Sequence, residues 1–281
     1  MSRKPLSASI AALAAASLLL AGCSGDDSSG GDAGASKEPS ASGSASEPTG
    51  TPDGGSTGEL TPANFQQAIL DAQRAAGSYR GKATTATGPV TSELEAEVVF
   101  EGDKPLAHAK TTANSPQAIE TVTAAGVVYL KSDGLGIPAD KWLKIDPADP
   151  ANEGNPLAAL AAASDPETAV RAMGDLQSLD VVGEEKVEGV DTTHYRAVAG
   201  TENFAEALGL PAEATASLPE TIPFDVWLDE DNRPVKYEYE VAAAGTTSKA
   251  TQTYYDYGAD VEVTVPDDAD TVPLSDVKLG G

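Results

Sequence analysis

A single cysteine, Cys23, stands in 281 residues, so no disulfide can form within the chain and the folded part must hold together by packing alone. No uncharged apolar run reaches the roughly 20 residues that a membrane-spanning helix needs. Basic side chains are scarce: 18 Lys and Arg stand against 44 Asp and Glu, a formal charge of −26. A surface of that sign is repelled by nucleic acid and by anionic lipid headgroups, so no nucleic-acid partner is expected. Catalytic signatures are missing too, with no GxSxG elbow, no HExxH, no paired CxxC and no phosphate-binding glycine loop, and neither an enzyme activity nor a cofactor is expected.

Two features invite a site and are read more simply. His108 and His194 both fall inside expected strands among Thr, Ala and Lys or Arg, where a lone histidine is more often a surface or packed side chain than a base or ligand. Asp229-Glu230-Asp231-Asn232 clusters oxygens as a calcium loop does. It lacks the glycine and the distal glutamate of such a loop and lies between two clear strand patterns, so it is read as a hairpin turn and no metal site is expected.

What the chain does have begins at its N-terminus. Arg3 and Lys4 precede an uncharged stretch, 6–20, of Ala, Leu, Ser and one Ile, the layout of an export signal over residues 1–22. The stretch ends in Leu20-Ala21-Gly22-Cys23, which resembles the lipobox of bacterial lipoproteins. The resemblance implies lipidation at Cys23, with a diacylglyceryl group holding the chain to the outer face of the cell membrane, since two acyl chains give a lasting anchor where one is marginal. Residues 24–58 are Ser, Gly, Asp, Glu, Pro and Thr with four alanines and one Lys. They cannot build a core and read, with Cys23, as a flexible tether spanning roughly 30 to 35 Å.

Residues 59–281 read as one folded domain. Thr61-Pro62 opens a helical pattern with Phe65, Ile69, Ala72 and Ala76 on one face and Gly77 as its stop. The period then changes to two. Leu94, Ala96, Val98 and Phe100 alternate with Glu93, Glu95, Glu97, Val99 and Glu101, the mark of a half-buried strand. Strand patterns follow at 106–113, 118–123, 126–131 and 141–145, then at 179–187 and 190–199, and then around Phe224, Val226 and Leu228, around Val235, Tyr237 and Tyr239, and at 249–257 and 261–265. Helical signals interrupt them at 157–163, at the capping box Ser164-Asp165-Pro166-Glu167, and at 201–208, where Phe204 and Leu208 stand four apart. The sum is an α+β domain of about ten strands in a long antiparallel sheet with helices gathered on one face.

In order along the chain stand Gly126-Val127-Val128-Tyr129-Leu130, Lys141-Trp142-Leu143-Lys144-Ile145-Asp146, Val187-Glu188-Gly189-Val190-Asp191-Thr192-Thr193-His194-Tyr195, Val226-Trp227-Leu228-Asp229, Arg233-Pro234-Val235-Lys236 and the closing Tyr257-Gly258 to Val265-Pro266. Together these segments resemble the LppX/LprG family of actinobacterial lipoproteins across the whole of residues 59–281. The resemblance implies a LolA-like fold, a curved antiparallel half-barrel whose concave face is covered by helices. Between the layers it implies a hydrophobic cavity for the acyl chains of a lipid or lipoglycan. Such a carrier needs no nucleotide site, and the direction of transfer would come from a membrane-protein partner or a downstream acceptor. Candidate lining residues are Phe100, Trp142, Phe204, Leu208, Phe224 and Val226. The other function this fold serves is a surface interaction or sensory module without a lipid.

Overall fold

The computed structural model describes residues 59–277 apart from 102–103, 114, 134, 153–154, 156, 159–160, 162–175, 202–218 and 244–245. The signal segment, Cys23 and the tether lie outside the described residues, as do Phe204, Leu208 and the capping box at 164–167.

The domain opens with helix α1 (Phe65–Ala76), capped one turn later than expected: Asn64 is the N-cap, and its Oδ1 accepts from the Thr61 N–H at 2.7 Å. Gly77 stops the helix with φ +80°, a conformation that favours glycine, and its N–H donates to the Arg74 carbonyl. The buried stripe is Phe65, Ile69, Leu70 and Gln73. It is centred closer to Gln73 than the expected line through Ala72 and Ala76.

Twelve strands follow: β1 (Ser78–Thr87), β2 (Val90–Glu101), β3 (Lys104–Thr111), β4 (Ile119–Ala124), β5 (Val127–Ser132), β6 (Trp142–Ile145), β7 (Leu176–Val187), β8 (Val190–Gly200), β9 (Thr221–Leu228), β10 (Pro234–Ala243), β11 (Thr246–Tyr255) and β12 (Thr271–Pro273). They form one sheet in the order β12-β6-β5-β4-β3-β2-β1-β11-β10-β9-β8-β7. The architecture is therefore two antiparallel meanders, β1 to β6 and β7 to β11, joined where β1 pairs with β11. The sheet is open, since β7 and β12 at its two ends do not pair with each other.

Three expectations are corrected here. The described residues hold twelve strands rather than about ten, because β1 and β12 are not among the expected segments. Residues 261–265 are not a strand: Val261 and Val263 turn inward with the expected alternation, but the segment runs extended without ladder partners. Among the described residues α1 is the one complete α-helix, so a layer of helices over the sheet is not part of what is described; of the expected helix at 157–163, Leu157, Ala158 and Ala161 are helical.

Side chains of a strand alternate between faces, so the buried clusters sort by parity. The larger cluster joins Phe65 and Ile69 of α1 to Tyr79, Leu94, Val98, Phe224, Val226, Tyr237 and Tyr254. A second cluster, Val128, Leu130, Leu143, Ile145, Ala158, Ala161 and Leu274, lies on the same face toward the β6 end. A third, Val122, Ala124 and Tyr129 with Leu106, Trp142 and Val263, lies on the opposite face.

Candidate functional site

Directly paired residues of an antiparallel sheet share a face, and three rows of such pairs define the candidate site. One row runs Tyr254, Gly81, Ala96, Ala109, Thr121, Leu130 and Leu143. A second runs Tyr79, Val98, Ala107, Thr123, Val128 and Ile145. A third runs Val181, Tyr195, Val226, Tyr237, Gln252, Ala83 and Leu94. None of these positions carries a charged side chain. A parallel row on the other face reads Lys82, Glu95, Lys110, Glu120 and Lys131. The uncharged rows are thus backed by a charged one, beside which the third cluster buries Val122, Ala124 and Tyr129 on that same face.

The apolar face is graded along its length. Its β8–β11 end is aromatic: Phe65 sits 6.4 Å from both Tyr195 and Phe224, and Tyr79 5.7 Å from both Tyr254 and Tyr257, centroid to centroid. Its β5–β6 end is aliphatic. Between them β1 to β4 present Gly81, Ala83, Ala96, Ala107, Ala109, Thr121 and Thr123, a low floor between taller side chains.

The aromatic end stays uncharged. Burial pushes the phenol of Tyr239 up to about 12, with a hydrogen bond to Gln252 opposing the shift. The phenols of Tyr237, Tyr254 and Tyr257 are likewise raised, with burial the largest cause in each case. Two hydroxyls are satisfied within the protein, Tyr254 by the Gln252 side-chain carbonyl at 2.7 Å and Tyr257 by the Pro234 carbonyl at 2.7 Å. On α1, Gln73 is 2% exposed and its Oε1 accepts no hydrogen bond.

The structure brings together Phe224, Val226 and Phe100, which share the larger cluster; Phe100 lies 6.1 Å from Tyr79. Trp142 is placed apart from them. It packs on the charged face with Val122 and Tyr129, under the Lys131 ammonium at 5.2 Å. Reading the residues singly missed Phe65, Tyr79 and Tyr254, although the helical stripe and the alternation of Tyr237 and Tyr239 pointed to the same side.

Both histidines lie on the charged face. His108 Nε2 meets Glu120 Oε1 at 2.8 Å, and His194 stands between Asp225 at 2.8 Å and Glu185 at 3.3 Å. The oxygen-rich Asp229 segment is the β9–β10 turn: the Asp229 carboxylate accepts from the backbone N–H groups of Asp231 (3.0 Å) and Arg233 (2.8 Å) and from Arg233 Nε (2.8 Å). Among the described residues no helix is long and apolar enough to cross a membrane, and no group of three or more His, Cys, Asp or Glu is placed to hold a metal ion.

No family model matches the chain. A curated relative, an uncharacterized 31.2 kDa protein of Streptomyces griseus encoded in the rplA-rplJ intergenic region, is 30% identical over 128 residues, and the match covers 42% of each chain. The chain therefore spans about two-fifths of that relative. Among solved structures, the lipoprotein LppX of Mycobacterium tuberculosis is similar at a TM-score of 0.47 and 15% identity, over 72% of this chain and 98% of LppX. LprF of Mycobacterium bovis follows at 0.41 and 15%, over 73% and 97%. MucB in complex with MucA(peri) is similar at 0.40 and 14%, over 73% of this chain and 59% of MucB. The lipoprotein LppX is thus among the solved structures to which the chain is similar.

Proposed function

We propose that the chain is a non-catalytic lipoprotein of the cell envelope that binds or transfers acyl chains on the apolar face of its sheet. Cys23, lipidated and tethered by residues 24–58, would hold the 59–281 domain at the outer surface of the membrane. The observation that supports this reading most is the contrast between the faces: three rows free of charge, with small residues in the middle and taller ones at both ends, backed by a row of alternating Lys and Glu.

An acyl chain laid on such a floor exchanges one hydrocarbon environment for another, so its transfer from a bilayer has a small net free energy even though each CH₂ is worth about 0.8 kcal/mol against water. No nucleotide chemistry is needed, and direction comes from a membrane partner or a downstream acceptor. The test is to isolate the lipidated protein from its native membrane and analyse bound lipid by mass spectrometry. Stoichiometric acyl lipid is expected, and repeated recovery without lipid would overturn the reading.

A second reading, a surface module that binds a protein, draws on edge strand β7. Val181 and Val182 there are 67% and 53% exposed. Capture of a stoichiometric protein partner by lipid-free material would favour it.

A further inference from the structure

We propose that a cleft at the rim of the sheet, at the ends of β3, β4 and β5, binds a small organic anion: a carboxylate head on a short apolar body. The cleft measures about 340 Å³, and the ends of β3, β4 and β5 together with residues 137–141 line it. That volume is at the low end of small-molecule sites, about 300 to 1,000 Å³.

The charge around it is the main argument. With 44 acidic residues against 18 basic ones, a cation on this chain finds a carboxylate easily. Among the described basic residues with placed side chains, Arg74, Arg80, Lys82, Lys141, Lys144, Lys186, Arg196, Arg233 and Lys236 all do so. Lys110, Lys131 and Lys249 do not, and the first two line this one cleft. The cause is local. Glu120 stands between Lys110 and Lys131 in the pairing register, yet its carboxylate is drawn aside to His108 Nε2 at 2.8 Å.

Other carboxylates stand nearby: Glu95 is the register partner of Lys110 on its other side and Glu120 itself lines the cleft, so what Lys110 and Lys131 lack is a direct ion pair. Lys141, also on the rim, is held by the Ala269 carbonyl at 2.7 Å and by Asp270 at 3.2 Å, which fixes the segment that closes the cleft. Asp133 and Lys110 both lie exposed in solvent, where their fields are screened, and Lys131 is half-buried. Ile119, Ile137 and Pro138 line the same cleft as the lysines, and the two isoleucines also pack on the aliphatic cluster, so this apolar part is fixed in place. Ammonium groups beside a fixed apolar wall select a ligand that is charged at one end and greasy at the other. The strongly acidic remainder of the chain disfavours an extended anionic surface as the source.

The neighbouring indole supplies the readout. The Lys131 ammonium lies 5.2 Å over the Trp142 ring, and moving it toward a bound carboxylate changes the indole environment. The experiment titrates octanoate into the full chain carrying Trp227→Phe, which leaves Trp142 as its one tryptophan. A saturable change in emission is expected, weakened about tenfold or more by Lys110→Gln with Lys131→Gln, while neutral octanol gives no saturable change. Calorimetric titration of the chain with Trp227 intact, with and without the lysine substitutions, provides the same comparison independently of the reporter. Absence of a saturable response to octanoate overturns the proposal. An equal response to octanol and in the double variant also overturns it, and assigns the octyl chain to the apolar face, which would leave the acyl-binding reading standing.

Discussion

His194 and Trp227 stack face to face on the charged side of the sheet, their centroids 4.3 Å and their planes 16° apart. The Lys236 ammonium lies over the indole at 4.5 Å, and the indole N–H donates to Glu185, so β7 is tied across β8 to β9. Trp227→Phe keeps the stack and loses that bond, and is expected to cost about 0.5 to 1.5 kcal/mol because Glu185 regains water. Trp227→Ala removes the whole column and is expected to cost about 3 to 5 kcal/mol. Urea unfolding of the two variants checks the difference.

Phe65 is 0% exposed and is the contact of α1 with Tyr195 and Phe224. Phe65→Ala is expected to destabilise by about 3 to 5 kcal/mol, since the sheet beneath cannot collapse into the space. The urea midpoint should fall with little change in slope. A loss below about 1 kcal/mol would mean that the helix adds little to the stability of the sheet.

The buried phenols set an alkaline limit. Tyr239 is raised to about 12 from an ordinary value of 10.0, so the folded protein holds this proton more tightly than the unfolded chain does. The associated stability is complete below pH about 10 and is lost as pH rises from there through about 12. Each such group contributes a slope of up to about 1.4 kcal/mol per pH unit within that window. Melting temperature followed from pH 9 to 12 should fall steeply, and Tyr239→Phe should make the fall shallower. An unchanged slope in the variant would mean that Tyr239 does not contribute.

How much of this was legible in the sequence depends on side-chain size. In β2, β9 and β10, large apolar residues alternate with charged ones, and the pattern gave both the strand and its inner face. In β1 the inward residues after Tyr79 are Gly81, Ala83 and Thr85, too small to make an apolar period, and the strand went unread although it joins the two meanders. β12 is three residues paired in parallel with β6, a contact between distant parts of the chain that no local pattern encodes. Residues 261–265 teach the converse: period two reports an extended chain with one buried side, and a ladder is a separate matter. That Phe100, Phe224 and Val226 share one face followed from parity. Trp142, also a candidate, shares its parity with Lys144, opposite to Leu143 and Ile145, and that pattern already placed it on the other face.

Cys23→Ser tests the anchor separately from the fold. The variant is expected to take up no palmitate label and to accumulate as precursor or be released, while its melting temperature equals that of the parent. Label still entering the variant would remove Cys23 as the lipidation site.

Ala109 decides what the low floor of the apolar face is for. It is 7% exposed and stands between Ala96 and Thr121 in the row that links the aromatic and aliphatic ends. If the space above it belongs to an acyl chain, Ala109→Leu fills that space: recovered lipid should fall several-fold while stability changes by less than about 1 kcal/mol, because the added methyl groups displace ligand rather than protein. If the floor is a close-packed core, the same change overpacks it and should cost about 1 to 3 kcal/mol. Glu95→Gln, on the charged face of the neighbouring strand, is the matched control and should alter neither quantity. Melting and lipid mass spectrometry on the same preparations separate the two cases. A folded Ala109→Leu protein depleted of lipid supports an acyl-binding face, and a destabilised one derived from a parent that carried no lipid leaves the face as ordinary core.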